Sequence, residues 1–136
     1  MKNRKKEKSI IGRRELVDFP GLNIFGIEAK IDTGAYSSAL HCEYINEKNG
    51  QLCFQIFKNT DIVCMDNFEK KKIKNSFGDW EERYIIKTVL KIGKRKIRIT
   101  LSLTNREKMK YPVLLGRKAI KGKFLVDVEK KHLTAR

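Results

Sequence analysis

Ile31–Asp32–Thr33–Gly34–Ala35 is the stretch on which the reading of this chain turns. Leu22–Ile31, just before it, reads as a strand. Ile27, Ala29 and Ile31 alternate with Glu28 and Lys30, the period-two pattern of a half-buried strand. The strand therefore ends on an acid, followed by a hydroxyl residue, a glycine and a small residue. That order presents a carboxylate at a strand tip. Glycine lets the backbone turn sharply and aim its N–H at the carboxylate. Threonine can hydrogen-bond across to a partner loop and hold two such loops in register. Aspartic peptidases need this order, but an ordinary turn after a strand also favours these residue types. The rest of the chain has to decide.

Far downstream, Val113–Leu114–Leu115–Gly116–Arg117 places two aliphatic residues before a glycine. An aspartic-peptidase lobe runs such a strand behind its Asp loop, where glycine permits close backbone approach. From Ile10 on, strand signals dominate the sequence. Ile10–Phe19 reads as a strand closed by the turn pair Pro20–Gly21. Ser37–Ile45 is a further candidate, and Asn49–Gly50 marks a tight turn before Leu52–Phe57. Asp61–Met65 is a short apolar run. Tyr84–Ile92 and Ile97–Leu103 form the clearest hairpin, turning at Gly93–Lys94, because Ile97, Ile99, Leu101 and Leu103 alternate with Arg98, Thr100 and Ser102. Asp66–Asp79 is polar and basic and reads as a long loop or irregular hairpin. Arg117–Lys121 allows one short helix, and Lys123–Val128 a last strand. Many short strands separated by turns predict an all-β sandwich or barrel.

The chain holds 136 residues, of which 40% are apolar, so one domain with one core is expected. Residues 1–9 read as a basic, disordered tail and residues 10–136 as the folded domain. No apolar run is long enough to span a bilayer, and the basic start lacks the apolar stretch of a secretory signal. Lys+Arg number 31 against 16 Asp+Glu, a formal net charge of +15. Such a surface attracts polyanions, so RNA, the ribosome or an acidic peptide are candidate partners. The basic clusters hold few ring side chains on which bases could stack. Cys42, Cys53 and Cys64 are odd in number and lack two-residue spacing. The simplest reading is reduced thiols in a cytoplasmic protein, packed as small core residues. The candidate metal ligands are those cysteines with His41 and His132. His41 and Cys42 are adjacent and would point to opposite faces of a strand. No zinc spacing and no Gly-rich phosphate loop is present, so no metal and no cofactor is assigned, and His41 reads as a satisfied polar residue near the site.

Taken together, these pieces resemble the retropepsin-like aspartic peptidase family associated with RimK-type glutamate ligases, often labelled "ATP-dependent zinc protease". The resembling segments are Ile11–Glu15, Ala29–Ala35, Ser38–His41, Arg83–Tyr84, Thr104–Arg106, Met109–Pro112, Leu114–Ala119 and Phe124–Asp127, in the family's order. The resemblance implies an all-β, single-lobe acid-protease barrel, closed, with one short helix near the C-terminus. It implies an aspartic endopeptidase with Asp32 as the catalytic acid/base and Thr33 and Gly34 as its supports. Leu115 and Gly116 would back the loop. Ala35, Tyr36, Arg83, Asn105, Arg106 and Arg117 would line the site. The family usually carries Arg after Asp-Thr-Gly-Ala, and this chain has Tyr36, which removes a guanidinium from beside the carboxylate. Peptidases of this kind use two carboxylates that share one proton. A chain with a single Asp-Thr-Gly must borrow the second from a twofold-related copy, so a C2 homodimer is expected. Asp66–Asp79 is the candidate flap. The basic balance, and the family's link to a ligase that adds glutamates, point to acidic or Glu-rich substrates. The competing reading is a catalytically silent basic barrel that binds acidic peptide or RNA.

Overall fold

The computed structural model describes residues 7–74, 77–105 and 110–134. Among the described residues, twelve strands and one short α-helix follow one another along the chain. They are β1 (Ser9–Gly12), β2 (Arg14–Phe19), β3 (Ile24–Ile31), β4 (Ser38–His41), β5 (Tyr44–Lys48), β6 (Gln51–Gln55), β7 (Val63–Met65), β8 (Glu69–Lys74), β9 (Trp80–Ile92), β10 (Arg95–Thr104), β11 (Val113–Leu115), α1 (Arg117–Ile120) and β12 (Phe124–Asp127). Six strands, in the order β10-β4-β11-β3-β2-β9, form a barrel that the long β9–β10 hairpin closes. The all-β, closed-barrel expectation is met. β8 extends the barrel sheet beyond β9; β5-β6-β7 form a separate three-stranded sheet; β1 and β12 pair in parallel.

Alternation builds the core. In β2, Glu15, Val17 and Phe19 are buried while Arg14, Leu16 and Asp18 are only partly so. In β10, Ile97, Ile99, Leu101 and Leu103 point inward, as their spacing predicts. Ala29, Leu40, Ile86, Leu90 and Val113 meet them inside. Each fully buried Leu, Ile or Phe contributes about 1.5–3 kcal/mol of transfer free energy.

Several boundaries differ from the sequence reading, each for a local reason. The predicted strand Ile10–Phe19 breaks at Arg13, because the backbone around Lys130 packs against Gly12 so closely that a Cβ there would sit 2.6 Å from the Lys130 carbonyl carbon. Pro20–Leu22 forms a 3-10 turn, so the next strand starts at Ile24. Ser37–Ile45 divides between β4 in the barrel and β5 in the small sheet. Asn49 and Gly50 both take positive φ, as a two-residue hairpin turn requires. Asp66–Asp79 holds a regular strand, β8, paired with the first half of β9; Asn75 and Ser76 lie outside the described residues. Of the basic tail, Ser9 belongs to β1 and residues 1–6 lie outside the described residues.

The cysteine reading is corrected. Cys53 and Cys64 face each other across β6 and β7 and are joined as a disulfide. They are not buried small residues: Cys53 is partly exposed and Cys64 exposed. Only Cys42 is a buried free thiol, and burial pushes its pKa up to about 12. Reduced thiols throughout the chain therefore no longer argue for a reducing compartment. Among the described residues no helix is long and apolar enough to cross a membrane.

Candidate active site

β3 and β11 run parallel at the centre of the barrel sheet, with Leu115 in register with Ile31. Asp32 follows at the tip of β3, and its amide donates to the Leu115 carbonyl at 2.8 Å. Asp32 is partly buried; Thr33, Gly34 and Tyr36 are exposed. The Gly34 amide donates to Asp32 Oδ1 at 3.1 Å, and the Ala35 amide to the Asp32 carbonyl at 3.2 Å. The loop thus folds back on its own carboxylate, the geometry expected of Asp-Thr-Gly. Asp32 Oδ2 accepts no hydrogen bond among the described residues and remains open to a ligand or a second carboxyl.

Gly116 and α1 hold the loop from behind. A Cβ on Gly116 would lie 2.6 Å from the Tyr36 carbonyl oxygen and closer still to that of Ser37. Close approach, rather than an unusual φ, therefore requires glycine here: its φ is −90°. The Gly116 amide donates to the buried Ser38 hydroxyl at 3.0 Å. The amides of Arg117 and Lys118 donate to the Ala35 and Tyr36 carbonyls at 2.8 and 3.0 Å. The Arg117 guanidinium donates to the Thr33 carbonyl at 3.0 Å and stands 5.9 Å from the centre of the Tyr36 ring. Arg117 of α1 thus sets a guanidinium beside the Asp32 loop and over the face of Tyr36.

The β8–β9 hairpin lines a cleft of about 400 Å³ beside this loop. Tyr36, Ser37 and Ser38 form one wall, Ile73 and Ile85 another, and Ser102 and Thr100 line it from β10. Four cations surround it: Lys71, Arg83, Arg98 and Lys118. Arg83 donates to Glu81 Oε1 at 2.7 and 3.0 Å. The other three have no carboxylate partner among the described residues. Ser102 Oγ is buried without a hydrogen-bond partner among the described residues. A cleft with cationic edges and an unsatisfied hydroxyl suits an anionic, hydrogen-bonding group.

The sequence model of the RimB-like family, described as retropepsin-like aspartic endopeptidase RimB, matches residues 10–136. The chain belongs to this family. Its likeness extends to a protein of Desulfotalea psychrophila named probable alpha-L-glutamate ligase. The two are 35% identical over 130 residues, covering 88% of this chain and 28% of that one. A protein of the same name from Parasynechococcus marenigrum is 35% identical over 135 residues, covering 92% and 29%. The chain thus spans less than a third of the length of these curated relatives. Among solved structures it resembles the Legionella pneumophila protein Lpg0085, of unknown function, at a TM-score of 0.74 and 31% identity. That match covers 95% of this chain and all of the other.

Within this retropepsin-like lobe the expected site residues fall into two groups. Asp32, Thr33, Gly34, Ala35, Tyr36, Leu115, Gly116 and Arg117 come together at one end of the barrel. Arg83 lines the cleft beside them and also a smaller one, of about 270 Å³, that holds Asn105. Asn105 is not among the residues lining the cleft at the Asp32 loop, and Arg106 lies outside the described residues. His41 differs from its expectation as a satisfied polar residue: its Nδ1 is buried with no partner among the described residues. Sequence reasoning does not pick out Ser38, Lys71, Arg98 or Lys118 as site residues. Three are lysines or arginines in a chain full of them, and only folding shows which share a cleft.

Proposed function

We propose that this chain is an aspartic endopeptidase whose site is completed when two copies meet about a twofold axis at their Asp32 loops. The observation that carries this reading is the Asp32 loop itself. A carboxylate is held at a strand tip by its own Gly34 amide, braced by β11 and α1, with its second oxygen open. One such loop per chain is half of a dyad. Like charges about 3 Å apart resist joint ionisation, so the pair would hold one proton. The unprotonated Asp32 takes a proton from a water as that water attacks the peptide carbonyl. The protonated one donates to the carbonyl oxygen, which gives a tetrahedral diol. As the C–N bond breaks, the carboxyl that took the water's proton passes it to the leaving amine, and the other takes back the diol proton. In this reading the β8–β9 hairpin, whose Lys71, Ile73, Arg83 and Ile85 line the cleft beside the loop, acts as the flap.

The substrate in this reading is an acidic, Glu-rich segment. The cleft beside Asp32 carries four cations, and a wall of one sign concentrates ligands of the other. The name glutamate ligase, borne by relatives more than three times as long, supports a connection with glutamate-bearing chains.

Asp32→Asn is nearly isosteric. It should abolish cleavage of a Glu-rich peptide while leaving the melting temperature unchanged. Cleavage retained by this variant would move the chemistry away from Asp32. No cleavage by the wild type, with binding intact, would favour the silent binding module.

A further inference from the structure

The outer face of the β9–β10 hairpin has a charge pattern that the fold itself does not use. Ile86 and Leu90 on β9, and Ile97 and Ile99 on β10, are buried; Lys87, Lys91, Lys96 and Arg98 between them are exposed. By strand alternation these four share the outer face. The register sets Lys91 directly opposite Lys96. Like charges facing each other across a strand pair are destabilising. Lys87 stands opposite Thr100, which lines the cleft beside Asp32, and Arg98 belongs to both strip and cleft. The strip is therefore continuous with the cleft and runs away from it for about 13 Å, the length of four residues of extended chain.

Carboxylates near this face are few. Asp18 is in register with Lys91, and its Oδ1 already accepts the Gly26 amide at 2.7 Å. Glu69 is in register with Ile85, and Glu81 is paired with Arg83. Val89, Thr100, Ile85 and Ser102 fill the remaining outward positions of the hairpin. None offers a ring on which a nucleic-acid base could stack, which disfavours single-stranded RNA as occupant.

We infer that Lys87, Lys91 and Lys96 form an exosite that holds an acidic stretch of the polypeptide substrate outside the cleft, by about four residues. This rests on the endopeptidase reading for its purpose, but the binding itself does not. A chain laid along the strip would relieve the Lys91–Lys96 repulsion and raise the local concentration of substrate at the cleft. The exosite acts on capture and not on the chemical step, so it lowers KM and leaves kcat alone.

The test uses the full chain. A variant carrying Lys87→Gln, Lys91→Gln and Lys96→Gln is compared with a control of equal charge carrying Lys48→Gln, Lys58→Gln and Lys130→Gln. All six side chains are exposed, and unchanged melting temperatures would show that both variants fold. Fluorescein-labelled decaglutamate and decauridylate are the probes, at low and raised salt. The expected result is that the strip variant binds decaglutamate about tenfold more weakly than the control variant, with the gap closing in salt. Equal binding by the two variants overturns the exosite. So does a loss confined to decauridylate, which would assign the strip to nucleic acid. In a second arm, a cleavable peptide is extended on either side by four Glu or four Gln. The wild type should show a lower KM with Glu, at unchanged kcat, and the strip variant should not. Absence of all cleavage with the binding difference intact would refute the endopeptidase reading and leave the exosite standing.

Discussion

Glu15 shows how one residue can fix the ends of this fold. It is a carboxylate with no exposed surface, on the inward face of β2. Burial alone would raise its pKa. The amides of Gly12, Thr134 and Leu133 and the Thr134 hydroxyl, at 2.6–3.0 Å, outweigh burial and hold it below the ordinary value of 4.5. It thereby ties β1 and the segment after β12 to the barrel. A folded-state pKa below the unfolded one means that stability is fully present above the unfolded pKa. That stability is lost as pH falls through the folded value. Glu15→Gln should be less stable by about 2–3 kcal/mol at pH 7, because charged hydrogen bonds are replaced by an amide that cannot accept them all. Urea unfolding of both proteins from neutral to acid pH should show the gap narrowing in acid. Gly116→Ala is the second residue-scale prediction. Its Cβ meets backbone oxygens of Tyr36 and Ser37 that cannot move without the Asp32 loop. Overpacking of this kind should remove about 1–3 kcal/mol of stability. Cleavage should fall further than stability alone explains, as measured on protein confirmed folded by circular dichroism.

At the scale of elements, β7 depends on a covalent tie. It has three residues, lies at the edge of a three-stranded sheet, and is joined to β6 through Cys53–Cys64. The bridge spans a sequence separation of 11. Closing a loop of that size should contribute about 3 kcal/mol by restricting the unfolded chain. Reduction, or Cys53→Ser with Cys64→Ser, should lower the urea midpoint accordingly. The barrel, built from other strands, should keep its circular dichroism. Alkylation gives an independent check. Native protein should show no reactive thiol, because Cys42 is buried and its pKa is about 12. Unfolding without reductant should expose one thiol, and unfolding with reductant three. Three thiols without reductant would remove the bridge.

For the whole molecule, the proposed twofold dyad makes a prediction that no single-chain site would share. When wild type is mixed with an equal amount of Asp32→Asn and allowed to exchange, half of the wild-type chains end in mixed dimers. Activity per wild-type chain should then fall to about half, if a dimer needs both carboxyls. Unchanged activity per wild-type chain would show that each chain works alone. The measurement needs only cleavage rates at a fixed total of wild type and a rising share of variant.

Much of this molecule can be read from its residues in order. The alternation in Ile27–Ile31 and Ile97–Leu103, the Asp32–Thr33–Gly34 turn, and the Val113–Leu115 strand with its glycine depend on neighbours a few residues away. Local stereochemistry and period-two burial decide such features, so they are legible without a fold. Other features depend on pairs distant in sequence. The disulfide follows from the register that sets Cys53 opposite Cys64, and nothing in their spacing announces it. The break at Arg13 comes from Lys130, the Arg117 guanidinium reaches Thr33 only through α1, and the buried Glu15 is bound by Leu133 and Thr134. Composition sets the charge of +15, but its grouping into a cleft and a strip is a matter of which strand lies beside which. Sequence determined the barrel and its catalytic candidate because those rest on short-range rules. Tertiary structure alone decided what surrounds the carboxylate, because contacts between distant residues exist only once the chain has closed on itself.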